Sequence, residues 1–311
     1  MTLLSVNFPG SRRVHPNRPW EGSNMPMSPR HRLQRAWGLG LLLIVGIAAQ
    51  ALGAETSRQD CEKSYKPSTG QPGKDVVWVP TNDPLVTRML EMARVGKSDL
   101  VYDLGAGDGK IAIAAAKQFG ARAVGVEYNP EMAQLAQCFV RAEGVADKVK
   151  VIQGDIFETD FSAANVVTLY LLPELNLKLR PTLLKMKPGT RVVSHSFLMD
   201  DWRPDESSVS TDGSAYLWIV PADVSGKWTF KQQRGQDSFD VKLVQTFQKL
   251  SGKVGKGSDD VTNAEVRGNQ VEMMFSEGDV HTRLKGELKG NRIEAQVTRN
   301  DSTSTYIGTR S

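Results

Sequence analysis

The chain has 311 residues, which is long enough for two domains. Of these residues 40% are hydrophobic and 24% are charged, a composition that excludes a disordered or fibrous protein. The pI near 9.0 comes from the N-terminus: residues 1–35 hold six arginines and one acid, which leaves 33 basic and 34 acidic side chains in the rest. The folded part therefore has no excess positive charge for nucleic acid, and no nucleic-acid partner is expected.

Residues 1–54 have the order of an export signal. Basic residues precede 14 uninterrupted apolar or glycine residues, 36–49, and small residues follow up to Ala54. A membrane-spanning helix needs about 20 apolar residues and a signal-peptide core about 7–15. The pattern favours a signal peptide; an uncleaved membrane anchor through residues 36–51 and an organellar presequence are the alternatives. The expected location is thus exported (periplasmic) or membrane-anchored.

Two cysteines occur, Cys61 and Cys138, and no Cys/His cluster has the spacing of a zinc site. No metal is therefore expected. The two cysteines can pair if the chain is exported, but the simpler expectation is a buried helical thiol at Cys138 and an exposed one at Cys61. Residues 55–75 are polar and contain proline and glycine, which is typical of a linker.

Predicted strands and helices alternate between residues 76 and 221. Asp83 is a good N-cap, with Pro84 at the first helical position. The strands are rich in Val, Ala and Leu without alternation, as expected for strands buried on both faces. This order predicts an α/β domain, a Rossmann-like sheet with helices on both faces. The strands are Leu100–Leu104, Ala123–Glu127, Val149–Gln153, Asn165–Leu171 and Arg191–Ser196, with a closing strand near Val220; the helices are Lys110–Phe119, Pro130–Glu143 and one near Leu175–Leu184.

The pattern changes in residues 222–311, where apolar and polar residues alternate. Glycine-containing pairs at 268–269 and 290–291 stand at hairpin spacing. We expect a separate small antiparallel β domain, a barrel or a curled sheet. Recruitment of a protein substrate, binding of a lipid or envelope component, and dimerisation are equally compatible with its residues.

A glycine-rich turn follows the first predicted strand of the α/β domain. Its sequence, Gly105-Ala106-Gly107-Asp108-Gly109, differs from the dinucleotide-binding fingerprint and lacks the Gly-Lys-Ser/Thr of a P-loop. Glycines allow close approach of a ligand and positive φ angles. Because ligands of open α/β sheets bind at the carboxyl ends of the strands, this turn marks a binding site, and phosphate binding is not the favoured use.

Three acids stand at strand ends: Asp103, Glu127 and Asp155. A carboxylate at Glu127 can accept both hydroxyl hydrogens of a ribose, and one at Asp155 can accept from an adenine amino group. Asp103 suits a positively charged amino-acid group. An adenosine ligand with a cationic tail satisfies all three acids, whereas a diphosphate does not.

The stretches VYDLGAGDG, AVGVEYNP and VIQGDIFE resemble the successive motifs of class I, seven-strand S-adenosylmethionine-dependent methyltransferases. Residues 76–205, from VWVPT through LYLLPELN and on to VVSHSF, resemble more narrowly a lysine methyltransferase family. That family includes archaeal broad-specificity enzymes and the mitochondrial enzymes that modify the ATP synthase c-ring protein and the adenine nucleotide translocator. The resemblance implies S-adenosylmethionine as cofactor, with Thr81 near its methionine end. The other implied cofactor contacts are Asp103, Gly105, Gly107, Gly109, Glu127 and Asp155.

The resemblance also directs attention to the end of the fourth strand. Related N-methyltransferases place an aromatic residue near the acceptor there, where this chain has Tyr170 beside Pro173. Asn176 either contacts the substrate or caps the next helix. His195 is a lone histidine at a strand end, which more often has a structural role. The expected catalytic residues are Tyr170, Pro173 and Asn176.

The hypothesis is therefore methyl transfer from S-adenosylmethionine to an amine, with a protein that carries an accessible lysine as substrate, membrane proteins included. Trp78 and Trp202 either form apolar walls of the acceptor pocket or pack between elements. The alternatives are a small-molecule N- or O-methyltransferase and an exported, non-catalytic binding module on a methyltransferase fold. The export signal conflicts with the cytosolic origin of the cofactor.

Overall fold

The computed structural model describes residues 56–255 and 259–311; the expected signal or anchor, residues 1–54, lies outside them. The helices are α1 (Arg58–Glu62), α2 (Asp83–Met92), α3 (Lys110–Phe119), α4 (Pro130–Ala142) and α5 (Pro173–Leu183). The strands of the first sheet are β1 (Leu100–Leu104), β2 (Arg122–Glu127), β3 (Val149–Gln153), β4 (Val166–Leu169), β5 (Arg191–His195), β6 (Glu206–Ser210) and β7 (Gly213–Ile219). Those of the second are β8 (Gly226–Gln232), β9 (Ser238–Thr246), β10 (Lys249–Val254), β11 (Asp259–Asp260), β12 (Thr262–Arg267), β13 (Gln270–Glu277), β14 (Val280–Lys289), β15 (Arg292–Arg299) and β16 (Ser302–Arg310).

The first sheet has seven strands in the order β3-β2-β1-β4-β5-β7-β6. Strands β1 to β5 are parallel, and β7 runs antiparallel between β5 and β6. The predicted Rossmann-like seven-strand sheet is thus confirmed. The chain order reverses between β1 and β4, so the carboxyl ends of β1, β2 and β4 open onto one crevice, the usual ligand site of such sheets.

Helices cover both faces of this sheet and give it two cores. Helices α2, α3 and α4 bury one face with residues such as Met89 and Phe139. Helix α5 covers the other face, where Leu179 and Leu183 pack with Trp218. Helix α2 begins one residue earlier than expected, because Asn82 is its N-cap and accepts from the backbone N–H of Leu85 at 2.9 Å. Within the described ranges, no helix has both the length and the apolarity to cross a membrane.

The expected linker, residues 55–75, contains helix α1, which packs on α4. Cys61 and Cys138 form a disulfide between these helices, with 5.7 Å between their Cα atoms. The expectation for the cysteines was wrong: Cys61 is 5% exposed, Cys138 is half-buried, and both are oxidised. The Arg58 guanidinium lies 3.7 Å from the centre of the Phe139 ring. This segment therefore belongs to the α/β domain.

The second sheet is a closed antiparallel barrel of eight strands, because β9 pairs with β10 as well as with β8. The short strand β11 adds to the edge of β10. Alternate residues point inward and fill the barrel with a core that includes Trp228, Phe230 and Phe239. This confirms the expected C-terminal antiparallel β domain, and of the two forms expected the structure has the barrel.

Candidate cofactor and acceptor site

A cavity of about 260 Å³ lies at the carboxyl ends of β1, β2 and β4. Its outer wall is the segment 71–81, which precedes α2 and includes Trp78. The topology thus brings distant parts of the chain around one space. The residues expected from the sequence that line it are Thr81, Asp103, Gly105, Gly107, Glu127, Asp155 and Tyr170.

The glycine turn is shaped by positive φ angles, 82° at Gly105, 55° at Gly107 and 79° at Gly109. A Cβ atom at Gly107 would lie 2.6 Å from Nε1 of Trp78, so only glycine fits beneath that ring. Gly109 lies outside the cavity lining; it is the N-cap of α3, and a Cβ there would stand 3.2 Å from that of Ala136. Gly109 therefore serves the packing of α3 against α4.

Backbone N–H groups of the turn are already engaged within the protein. Those of Gly105 and Ala106 both donate to the Val126 carbonyl at 2.9 Å. The N–H of Gly107 donates to Oε2 of Glu127 at 2.8 Å, and that of Asn129 to Oε1 at 2.9 Å. The Glu127 carboxylate is thereby held at the end of β2, where it has lone pairs left for ligand hydroxyls. This arrangement is unlike a phosphate cradle, in which such N–H groups face the ligand.

Asp103 is a buried carboxyl group at the end of β1, 2% exposed. The Thr168 hydroxyl donates to its Oδ1 at 2.6 Å. Burial raises the pKa of Asp103 to about 7, against the stabilising hydrogen bond from Thr168, and the nearby negative charge of Asp108 adds to the rise. A cation bound beside Asp103 would favour its ionised form, which suits the amino group of a ligand.

Asp155 lies at the far side of the cavity, after β3. It accepts the backbone N–H of Phe157 at 2.8 Å and a hydrogen bond from the Lys74 ammonium group. The bond from Lys74 lowers the pKa of Asp155. The same ammonium lies 4.8 Å from the centre of the Tyr128 ring. Lys74 was missed by the sequence reasoning because it lies in the segment expected as a linker.

An aromatic stack forms the opposite wall, at the ends of β4 and β5. The rings of Tyr170 and His195 are 3.7 Å apart and inclined by 28°, and the Phe197 ring lies 6.2 Å from that of Tyr170 with 23° between their planes. Thr81 Oγ1 and His195 Nδ1 are hydrogen-bonded at 3.0 Å. Burial lowers the pKa of His195 to about 4, so the imidazole is neutral at pH 7. His195 thus joins two residues singled out from the sequence, Thr81 and Tyr170.

The remaining expected residues lie outside the cavity lining. Asn176 is fully buried, and its amide donates to the carbonyls of Phe197 and Leu198, each at 3.4 Å. Pro173 is the first residue of α5. Neither Asn176 nor Pro173 is part of the cavity lining. Trp202 is also fully buried and packs against Trp218, so of Trp78 and Trp202 only the former reaches the cavity.

Two further lining residues had escaped the sequence reasoning. Lys110, the first residue of α3, donates through Nζ to the Thr81 carbonyl at 3.0 Å and pairs with Asp83 at 3.0 Å. Phe197 follows β5 and lines the cavity beside Tyr170. The GDGK sequence was the available signal for Lys110, whereas Phe197 had none, because its position depends on how the loop after β5 folds back.

The donor set fits S-adenosylmethionine. Glu127 offers acceptors for ribose hydroxyls and Asp155 one for an amino group, with Met132 and Ile156 as apolar lining. Asp103 is a buried partner for the amino-acid group, and Gly105 and Gly107 of the glycine turn line the same cavity. When bound, this cofactor supplies a methyl group on a positively charged sulfur. Together with the strand order, the site defines a class I S-adenosylmethionine-dependent methyltransferase.

Comparison with known proteins identifies the family. The family profile described as the ANTKMT methyltransferase domain matches residues 103–206. A protein-lysine N-methyltransferase of Saccharolobus islandicus is 46% identical over 151 residues, 47% of this chain and 94% of the relative. A human lysine N-methyltransferase named for the C subunit of ATP synthase is 32% identical over 146 residues, which cover 47% of this chain and 61% of the relative.

Among solved structures, an RNA methyltransferase of Salinibacter ruber in complex with S-adenosyl-L-homocysteine is 50% identical, with a TM-score of 0.46; the match covers 47% of this chain and 96% of that one. The chain belongs to the S-adenosylmethionine-dependent protein-lysine N-methyltransferase family, which confirms the resemblance, the cofactor and the enzyme class expected from the sequence. The residues matched by the family profile lie within the α/β domain.

Proposed function

We propose that this enzyme methylates the ε-amino group of lysine in a protein, with the aromatic wall of the cavity as the acceptor side. The observation that carries the proposal is the stack of Tyr170, His195 and Phe197, of which Tyr170 and Phe197 line the same cavity as Asp103 and Glu127. Aromatic faces attract alkylammonium groups. The stack therefore gives a lysine side chain an apolar path to the methyl donor.

The acceptor amine must lose a proton before it attacks, and the donor's own charge promotes this loss. At an effective dielectric constant near 20, a sulfonium about 4 Å from an ammonium repels it by about 4 kcal/mol. Such repulsion lowers the pKa of the amine by about three units from a reference value near 10.4. The Tyr170 hydroxyl, on a ring that the neutral His195 imidazole holds by stacking, then only needs to orient the amine, because the main demands are alignment and exclusion of water.

The names of the relatives support a protein acceptor. The Saccharolobus islandicus relative is named a protein-lysine N-methyltransferase. A human relative is named for lysine methylation of the ATP synthase C subunit, and a mouse relative for that of adenine nucleotide translocase. We infer a protein with an accessible lysine as the substrate here, with membrane proteins among the candidates.

We further propose that the enzyme acts outside the cytosol, exported or held at a membrane by residues 36–51. The Cys61–Cys138 disulfide supports this location, because disulfides persist mainly in oxidising compartments. Mass spectrometry of the N-terminus from fractionated cells tests it. An N-terminus near Ala54 in the exported fraction supports cleavage, an intact N-terminus in the membrane fraction supports an anchor, and recovery only from the cytosol contradicts both.

The function is tested by incubating the purified enzyme with methyl-labelled S-adenosylmethionine and cell extract. Samples are then treated with protease or with ribonuclease, and hydrolysed protein is analysed for methyl-lysine. We expect protease-sensitive label in methyl-lysine, absent with a Glu127→Ala variant. Label confined to small molecules supports the small-molecule alternative, label released by ribonuclease indicates an RNA acceptor, and a folded enzyme that transfers no label contradicts the proposal.

A further inference from the structure

The loop 196–203, which follows β5, forms part of the acceptor wall through Phe197. Two of its residues have positive φ angles although neither is glycine: 63° at Ser196 and 55° at Asp200. A positive φ angle at a non-glycine residue costs free energy and persists only where the surrounding structure holds it. The shape of this loop, and with it the position of Phe197, therefore depends on contacts from outside the loop.

Helix α5 supplies the first set of contacts. The Asn176 amide donates to two loop carbonyls, as described above. One helical turn further on, Nη1 of Arg180 donates to the Met199 carbonyl at 2.9 Å and pairs with the Asp201 carboxylate. These bonds hold the loop from the side of the catalytic domain.

The barrel supplies the second set, through the turn between β9 and β10. The Phe247 ring in this turn stacks on the fully buried Trp202, with 6.0 Å between ring centres and 22° between planes. The Arg180 guanidinium lies 5.3 Å from the centre of the same ring. Nε2 of Gln248, itself 4% exposed, donates to the Arg203 carbonyl at 2.6 Å. The turn thus contacts both the loop and the arginine that fixes it.

Phe247 occupies this place at a conformational cost. Its φ angle is 52°, an uncommon conformation for a bulky side chain, and one that Gly or Asn adopts more readily. The conformation directs the ring away from the barrel interior and against Trp202. A barrel that needed only a tight turn between β9 and β10 would be served better by glycine, so the aromatic ring has a use outside the barrel.

We propose that Phe247 is a positioning residue for methyl transfer: the β9–β10 turn of the barrel fixes the loop 196–203, and through it Phe197 and Tyr170, in the geometry that admits the acceptor. The Saccharolobus islandicus relative matches over 94% of its own length and has no room for a second domain. The barrel is therefore an addition that supports the acceptor wall from outside. The kinetic part of this proposal rests on the proposed function; the structural part does not.

Hydrogen exchange measured by mass spectrometry on the full chain tests the structural part. We expect amides of residues 196–203 to exchange about tenfold faster in Phe247→Ala, while β1 to β3 keep their protection and calorimetry gives an unchanged Kd for S-adenosylmethionine. Phe247→Tyr, which keeps the ring, restores slow exchange. Phe275→Leu is the matched control, because Phe275 lies in the barrel core near the end of β13, at the end of the barrel away from the β9–β10 turn.

Unchanged protection of the loop in Phe247→Ala, or equal loss of protection in Phe275→Leu, overturns the proposal. If Phe247→Ala does not fold, Gln248→Met removes the bond to the Arg203 carbonyl at similar volume, and faster exchange of the loop is again expected. In label transfer to extract protein, Phe247→Ala raises the apparent KM for the acceptor more than it lowers kcat, and Phe247→Tyr reverses this. A wild-type enzyme that transfers no label refutes the proposed function, and the exchange result still decides the role of Phe247.

Discussion

The two folded regions of this chain bury very different groups. Of the ten buried polar or charged side chains in the described residues, eight lie in the α/β domain and only two, Gln248 and Thr282, in the barrel. The α/β domain keeps a buried carboxyl group at Asp103 and a neutral imidazole at His195, whereas Trp228, Phe230 and Phe239 fill the barrel. Burial of polar groups is costly. Most of this cost therefore falls on the α/β domain, which holds the cofactor site.

Phe230→Ala should destabilise the barrel, and we expect this to be the largest of the effects below. Phe230 is fully buried and stacks on Phe239 at 5.2 Å, so truncation should cost about 3–5 kcal/mol of barrel stability. Denaturant unfolding followed by tryptophan fluorescence measures the loss. Calorimetry should find unchanged affinity for S-adenosylmethionine; Val244→Ala, at an exposed barrel position, is the control. A parallel loss of affinity would show that the two regions are not independent.

Reduction of the disulfide probes the stability of the α/β domain. Cys61 and Cys138 are 77 residues apart in sequence, and chain-entropy arguments give about 4.5 kcal/mol for closing a loop of this length. We expect Tm of the wild type to fall on addition of reductant. The Cys61→Ser/Cys138→Ser double variant should have the lower Tm with or without reductant. If the wild-type Tm does not change on addition of reductant, the disulfide does not contribute to the stability of the α/β domain.

Glu127→Ala should weaken cofactor binding and should lower stability less than Phe230→Ala does, because it leaves the backbone N–H groups of Gly107 and Asn129 without their acceptor. Loss of a charged acceptor for ligand hydroxyls costs about 1.5–3 kcal/mol, or about 10- to 100-fold in Kd. Calorimetric titration of S-adenosylmethionine measures it. Glu265→Ala is the control, since Glu265 is a barrel carboxylate paired with Lys249 at 2.9 Å. Equal affinities for wild type and Glu127→Ala would place the ribose elsewhere.

Ionisation of Asp103 should make the affinity for S-adenosylmethionine depend on pH, which is a smaller effect. Because its pKa is about 7, cofactor affinity should rise about tenfold from pH 5.5 to 7.0, as the carboxylate forms opposite the cationic amino group. Asp103→Asn should bind weakly with no such rise. Calorimetry at the two pH values measures both proteins, and an equal slope in the variant would assign the titration to another group.

Ionisation of the buried Asp103 carboxyl group should also lower the stability of the folded protein as the pH rises. The folded pKa of Asp103, about 7, lies above the ordinary value of 3.8, so between these values the folded state binds more protons than the unfolded state. Stability from this group is therefore fully present below about pH 3.8 and falls as pH rises towards 7. Asp103→Asn should raise Tm relative to wild type at pH 8 and not at pH 4. Such a result would show that the site is kept at the expense of stability.

Much of the fold was predictable because its signals are local. Buried parallel strands read as unbroken apolar runs, such as Leu100–Leu104, and the glycine turn and the acids at strand ends follow directly from sequence order. The hairpins of the barrel were visible in the alternation of apolar and polar residues. Strand β6, Glu206–Ser210, was missed because its sequence, ESSVS, is mostly exposed and has no apolar pattern.

The rest of the site depends on contacts between distant parts of the chain. Lys74 reaches Asp155 across 81 positions, from a segment whose composition is that of a linker. The pairing of Cys61 with Cys138 requires that α1 pack on α4, which no local pattern indicates. The sequence favours a structural role for His195, because a lone histidine carries no information about its neighbours; its stacking on Tyr170 results from the adjacency of β4 and β5.

The cross-link between Cys61 and Cys138 turns residues 61–138 into a covalent ring. Lys74, Trp78, Asp103 and Glu127 all lie on that ring. A protease that cuts the exposed peptide around residues 73–75 would open the ring without releasing a fragment, so the nicked chain would run as one band on a non-reducing gel and as two after reduction. The segments that surround the adenosine side of the cofactor would thus stay covalently joined through the disulfide after one peptide bond between them is cut.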